Sequence, residues 1–122
     1  MGKVLVVNDE AACRESLRLL LSLESFEVIV AADGEEAVAM GKDFLPDVLV
    51  VDWVLTGRID GLQAAEALRA INPRMQVVVM TGYPSDDLET RVKAMPGFQY
   101  LAKPFIPAEM TAAVHKAAEL AR

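Results

Sequence analysis

The chain has 122 residues, 53% of them apolar, enough for one hydrophobic core and a single domain over 1–122. Its 18 acidic against 12 basic residues leave a net charge of -6, which excludes the clustered cations that direct nucleic-acid binding needs. No apolar run approaches the ~18 residues of a membrane span, the N-terminus reaches Asp9 and Glu10 too early for a signal peptide, and the lone Cys13 has no disulfide partner, so a cytoplasmic location is expected.

The first apolar run, KVLVV at 3–7, lacks alternation, the pattern of a strand covered on both faces in a parallel sheet. Residues 11–24 follow with Cys13, Leu17, Leu20 and Leu21 on one helical face, which makes Cys13 a small core residue. A second strand, EVIVAA at 27–32, precedes a helix over 35–45 that turns Ala37, Val38, Gly41, Phe44 and Leu45 inward. DVLVV at 47–51 is the third strand, and the helix over 61–71 after it is capped by Asp60 and buries Ala64, Ala65, Leu68 and Ile71. QVVVMT at 76–81 leads to a weaker helix over 85–95, opened by Ser85 as N-cap with Asp86 and Asp87 in its first turn and stopped by Pro96 and Gly97. QYLA at 99–102 and a helix over 107–121 carrying Met110, Val114, Ala117, Ala118 and Ala121 complete the chain. Five such alternations predict an α/β fold, a five-stranded parallel sheet with helices on both faces.

Ligands of open α/β sheets bind outside the carboxyl ends of the strands. Those ends supply Asn8, Asp9 and Glu10 after the first run, Asp52 after the third, Thr81 and Gly82 after the fourth, and Lys103 with Pro104 after the fifth. Asp9 and Asp52 are hard oxygen ligands suited to Mg²⁺, Lys103 is a compact positive charge, and Thr81 offers a hydroxyl to an added phosphoryl group. The set describes a phosphoryl-transfer site in which Asp52 is the nucleophile. Trp53 is read as packing or partner surface, and His115, off this edge, as solvated or partner-facing.

VLVVNDE, PDVLVVDWVLTGRIDG, VVVMTGY and YLAKPF, taken together, resemble the receiver domain of bacterial two-component response regulators along essentially the whole chain. The resemblance implies a flavodoxin-like (βα)5 fold with strand order 2-1-3-4-5. It makes Asp52 the phosphoacceptor, Asp9 a metal ligand, Val54 the donor of a backbone carbonyl to Mg²⁺, Thr81 the switch hydroxyl, Lys103 the active-site lysine, Tyr100 the aromatic switch that shifts inward on phosphorylation, and Pro104 a cis-proline. The implied function is a phosphorylation-activated switch, not a turnover enzyme. Its partner is a sensor histidine kinase or histidine phosphotransfer protein, and the receiver stands alone or belongs to a larger regulator or hybrid kinase.

The chain departs from the family where Asn8 replaces one of two adjacent acids. An amide can still orient a metal-bound water but removes a negative charge, so Mg²⁺ should bind more weakly than in an Asn8→Asp variant. Glu10 is the alternative second acid. TGRIDG replaces the common PG loop and carries one residue more, as in some hybrid-kinase receivers. Val54 and Tyr83 occupy the positions that gate water, and their bulk implies slow self-dephosphorylation. The competing readings are a pseudo-receiver that binds partners without phosphorylation, a haloacid dehalogenase phosphatase, which wants a second Asp where Val54 stands, and a flavodoxin, which wants a phosphate loop where the acids stand.

Overall fold

The computed structural model describes residues 2–122. Strands and helices alternate as β1 (Lys3–Val7), α1 (Ala11–Leu23), β2 (Glu27–Ala31), α2 (Gly34–Phe44), β3 (Val48–Asp52), α3 (Gly61–Ile71), β4 (Gln76–Thr81), α4 (Asp86–Ala94), β5 (Phe98–Ala102) and α5 (Pro107–Leu120). The strands form one sheet in the order β2-β1-β3-β4-β5, with every neighbouring pair parallel. The reversal of direction between β1 and β3 opens the crevice in which such sheets bind ligands.

Side chains alternate across each strand, so the sheet separates two apolar layers. Leu5, Val7, Leu49, Val51, Val77 and Val79 meet Ala37, Ala65, Leu68, Leu88 and Val92 from α2, α3 and α4. Val4, Val6, Val48, Val50, Val78 and Met80 face the other way, onto Leu17 and Leu21 of α1 and Met110, Val114 and Ala117 of α5. β3 is buried at every position, which is why its sequence shows no alternation. β2 and β5 lie at the edges, and β5 is half-buried throughout.

Local chemistry sets where the helices start. Asp60 Oδ1 accepts from Gln63 N–H at 2.8 Å while the Gln63 side chain accepts from Asp60 N–H at 2.9 Å, a reciprocal capping box. Ser85 Oγ caps α4 through Leu88 N–H at 3.1 Å, and Asp33 caps α2 through Glu36 N–H at 2.8 Å.

Three residues expected on buried helix faces lie outside them. Leu45 is the C-cap of α2, in the left-handed region with φ 51, and is exposed because the helical period ends at Phe44 before Pro46. Ile71, the last residue of α3, is exposed, and Ala121 lies just past the end of α5. His115, expected to be solvated or partner-facing, is half-exposed but tied within the chain, its Nε2 2.8 Å from Glu24 Oε1 and its ring 4.9 Å from Phe26. No helix among the described residues is long and apolar enough to cross a membrane.

Candidate phosphoacceptor site

The sheet's hydrogen bonding continues past the strand ends and delivers the site residues. Asn8 N–H donates to Ala31 O at 3.2 Å, Trp53 N–H to Met80 O at 2.9 Å and Lys103 N–H to Thr81 O at 2.8 Å. Alternation then sorts the side chains. Asn8, Asp52 and Lys103 share the parity of Val6, Val50 and Leu101 and so point to the α1/α5 side, whereas Thr81 and Tyr100 share that of Val79 and Phe98 on the α4 side.

The first three converge. Lys103 Nζ donates to Asp52 Oδ2 at 2.7 Å, Asn8 Nδ2 donates to the same oxygen at 3.1 Å, and Val54 N–H donates to Oδ1 at 3.1 Å. Asp52 is 7% exposed, so these donors replace most of the water a carboxylate needs. Burial lowers the pKa of Lys103, but its hydrogen bond to Asp52 and the charge of that carboxylate outweigh the loss and hold it above the ordinary lysine value. Asp9, Asp52, Val54, Gly82, Tyr83 and Lys103 line an open cleft of about 390 Å³. Asp9 is exposed at its mouth, and Val54 and Tyr83 form a lip, with 51% and 78% of their surface exposed. The Lys103–Pro104 peptide is cis.

Thr81 is fully buried, its Oγ1 accepting from Tyr83 N–H at 3.0 Å. Tyr100, expected to shift inward on phosphorylation, packs in this structure against the α4-side core, its hydroxyl buried without a partner among the described residues. Its ring follows the alternation of Phe98 under α4, and burying that area outweighs the unpaired hydroxyl. Glu10 is exposed. Its backbone N–H, not its carboxylate, meets the site by donating to Asn8 Oδ1 at 2.8 Å. The Asn8 oxygen thereby accepts from the backbone, and the amide presents its nitrogen to Asp52.

Three supports escape the sequence reading. Arg14 Nη1 donates to Asn8 O at 2.8 Å and so braces the end of β1. Cys13 Sγ lies 3.4 Å from Asn8 Nδ2; burial pushes its thiol up, against the opposing charge of Lys103, which keeps it from being a reactive thiolate. A Cβ on Gly61 would strike the Asp52 carbonyl, so α3 starts this close to β3 only because that residue is glycine. The Asp-Gly pair at 60 and 61 is the sequence signal for this close approach, beside the cap that Asp60 provides. The extended loop between β3 and α3 turns at Gly57, with φ 103, and is tied to α2 by Arg58 N–H, which donates to both Glu35 carboxylate oxygens at 3.1 and 3.3 Å.

The family model described as "Response regulator receiver domain" matches residues 4–115. The chain belongs to the response regulator receiver family. Curated relatives include "Response regulator MprA" of Mycobacterium avium (strain 104) and of Mycobacterium ulcerans (strain Agy99), each 38% identical over 112 residues, or 90% of this chain. Those matches cover 48% and 47% of the relatives, so the chain spans about half their length. Among solved structures, the Vibrio cholerae chemotaxis protein CheY4 superposes with a TM-score of 0.84 at 28% identity, covering 96% of this chain and 98% of that one. A response regulator receiver protein from Sinorhizobium medicae gives a TM-score of 0.88 at 28% identity, covering 99% and 97%. As a receiver domain the chain is a phosphorylation-dependent signalling module of two-component systems, not a turnover enzyme.

Proposed function

We propose that this receiver takes a phosphoryl group onto Asp52 from a histidine kinase or histidine phosphotransfer protein. The observation that carries the reading is the Asp52 carboxylate itself, almost buried, held by Lys103 at 2.7 Å and opening on the cleft. A carboxylate oxygen attacks phosphorus, an O–P bond forms, and the P–N bond of the donor phosphohistidine breaks with its electron pair leaving on the imidazole nitrogen.

The donor set suits Mg²⁺. Among the described residues no three His, Cys, Asp or Glu side chains cluster as a closed metal cage, but Mg²⁺ is ordinarily held by one or two carboxylates and keeps several waters. Asp9 and Asp52, with the Val54 carbonyl, would hold it at the cleft. Bound there, Mg²⁺ supplies charge neutralisation for the phosphoryl oxygens.

Lys103 supplies the fixed positive charge against the transferred group, at the carboxylate it already touches. Thr81 accepts from Tyr83 N–H and retains its own hydroxyl proton for a phosphoryl oxygen; reaching that oxygen carries the Gly82–Tyr83 segment with it. That contact exists only in the phosphorylated state and so shifts the receiver between two conformations. The buried Tyr100 hydroxyl gains stability in whichever state gives it a partner. Val54 and Tyr83 at the cleft lip restrict the water that hydrolyses the acyl phosphate, which makes self-dephosphorylation slow; a half-life of seconds would overturn this point.

Acetyl phosphate with Mg²⁺ should label the wild-type chain and leave Asp52→Asn unlabelled by intact-mass measurement. Retained labelling in that variant would refute the assignment.

A further inference from the structure

We propose that Asn8 is a positioning residue that orders the phosphoacceptor without metal, its amide standing where a second carboxylate would make the site depend on a cation. The proposal rests on Asp52 being the phosphoacceptor.

The amide's orientation is set by the backbone. Glu10 N–H donates to one end of the Asn8 side chain at 2.8 Å, and only the oxygen can accept it. The nitrogen is therefore turned onto Asp52 Oδ2 at 3.1 Å, with Cys13 Sγ at 3.4 Å on its other flank. Asn8 is 1% exposed and its carbonyl is held by Arg14, so the side chain has no alternative partner in water.

The consequence falls on the two Asp52 oxygens. Oδ2 receives both Lys103 Nζ and Asn8 Nδ2, which occupy its two lone pairs. Among the described residues Oδ1 receives only Val54 N–H and keeps one lone pair. Oδ1 is thus the oxygen with an open lone pair before metal or donor arrives, and whichever of the two does not take it has to displace a donor from Oδ2. A carboxylate at position 8 would accept from Glu10 N–H equally well, but its second oxygen would face Asp52 Oδ2 as acceptor against acceptor. With one position 1% and the other 7% exposed, water cannot separate the charges, and a bound cation would have to.

The test uses the full chain as wild type, Asn8→Asp, Asn8→Ala and Asp52→Asn. Thermal unfolding is measured in EDTA and in excess Mg²⁺, and labelling by a small phosphoramidate donor is measured against Mg²⁺ concentration. Mg²⁺ should raise the Asn8→Asp midpoint by about 4 °C more than the wild-type midpoint, and half-saturating Mg²⁺ should fall about tenfold in that variant. Asn8→Ala removes the donor without adding charge. It should keep the wild-type half-saturating Mg²⁺ while labelling about fivefold more slowly at saturation. Equal Mg²⁺-induced shifts in wild type and Asn8→Asp would overturn the proposal, as would wild-type labelling in Asn8→Ala, because a purely structural amide lowers midpoints and leaves metal response and rate alone. Labelling that survives Asp52→Asn would instead overturn the phosphoacceptor assignment.

Discussion

Replacing Lys103 with Met removes the only cation among the described residues that is hydrogen-bonded to Asp52 and keeps a side chain of similar length. The carboxylate retains the Asn8 and Val54 donors but loses its 2.7 Å charge-assisted bond. Breaking a fully buried pair costs about 3–5 kcal/mol, but the Lys103 side chain is 30% exposed, so the lower scale of a charged hydrogen bond applies, about 2 kcal/mol. An unfolding entropy of about 2.1 cal/mol/K per residue over 122 residues gives about 0.26 kcal/mol/K, so the midpoint should fall by about 8 °C. Lys103 also feels the charge of Glu10, so a double-mutant cycle with Asp52→Asn, by urea denaturation in EDTA, is needed to isolate the pair. Its coupling energy should be about 2 kcal/mol. A coupling below about 0.5 kcal/mol would show that solvent, not Lys103, stabilises the carboxylate, and the pre-ordered site would have to be abandoned.

The same pair predicts a pH dependence. The Lys103 pKa is raised, so its stabilisation is fully present below the ordinary lysine value of about 10.4 and is lost as pH rises through the higher folded value. The gap in urea midpoint between wild type and Lys103→Met should stay constant to about pH 9.5 and shrink above about 10.4; closure below about pH 9 would contradict this. Asp60→Ala removes the capping box of α3 and should cost about 1 kcal/mol, or about 4 °C by calorimetry, with unchanged stability refuting the cap's role. Gly61→Ala forces a Cβ onto the Asp52 carbonyl, and should cost about 3 kcal/mol and slow acetyl phosphate labelling together; a stable, fully active variant would show that α3 can back away.

Much of this was written in one dimension. Unalternating runs such as VLVV announce strands buried on both faces, helical spacing places Leu17 and Leu21, and Asp60 and Ser85 stand where caps belong, because these features depend on neighbours a few residues away. The rule that ligands gather at strand ends then isolates Asn8, Asp9, Asp52, Thr81 and Lys103 without any coordinates. Which of these touch was decided only in the folded sheet. Parity assigned Asn8, Asp52 and Lys103 to one face and Thr81 and Tyr100 to the other, and parity is defined relative to partners up to 51 positions away, the separation of Lys103 from Asp52. The direction of the Asn8 amide depends on a single backbone N–H at Glu10, and the inward Tyr100 on the space beneath α4. A residue's type announces what bonds it can make; its partner, and so its work, depends on which other chain segments arrive within 3 Å, and that distance is a property of the fold.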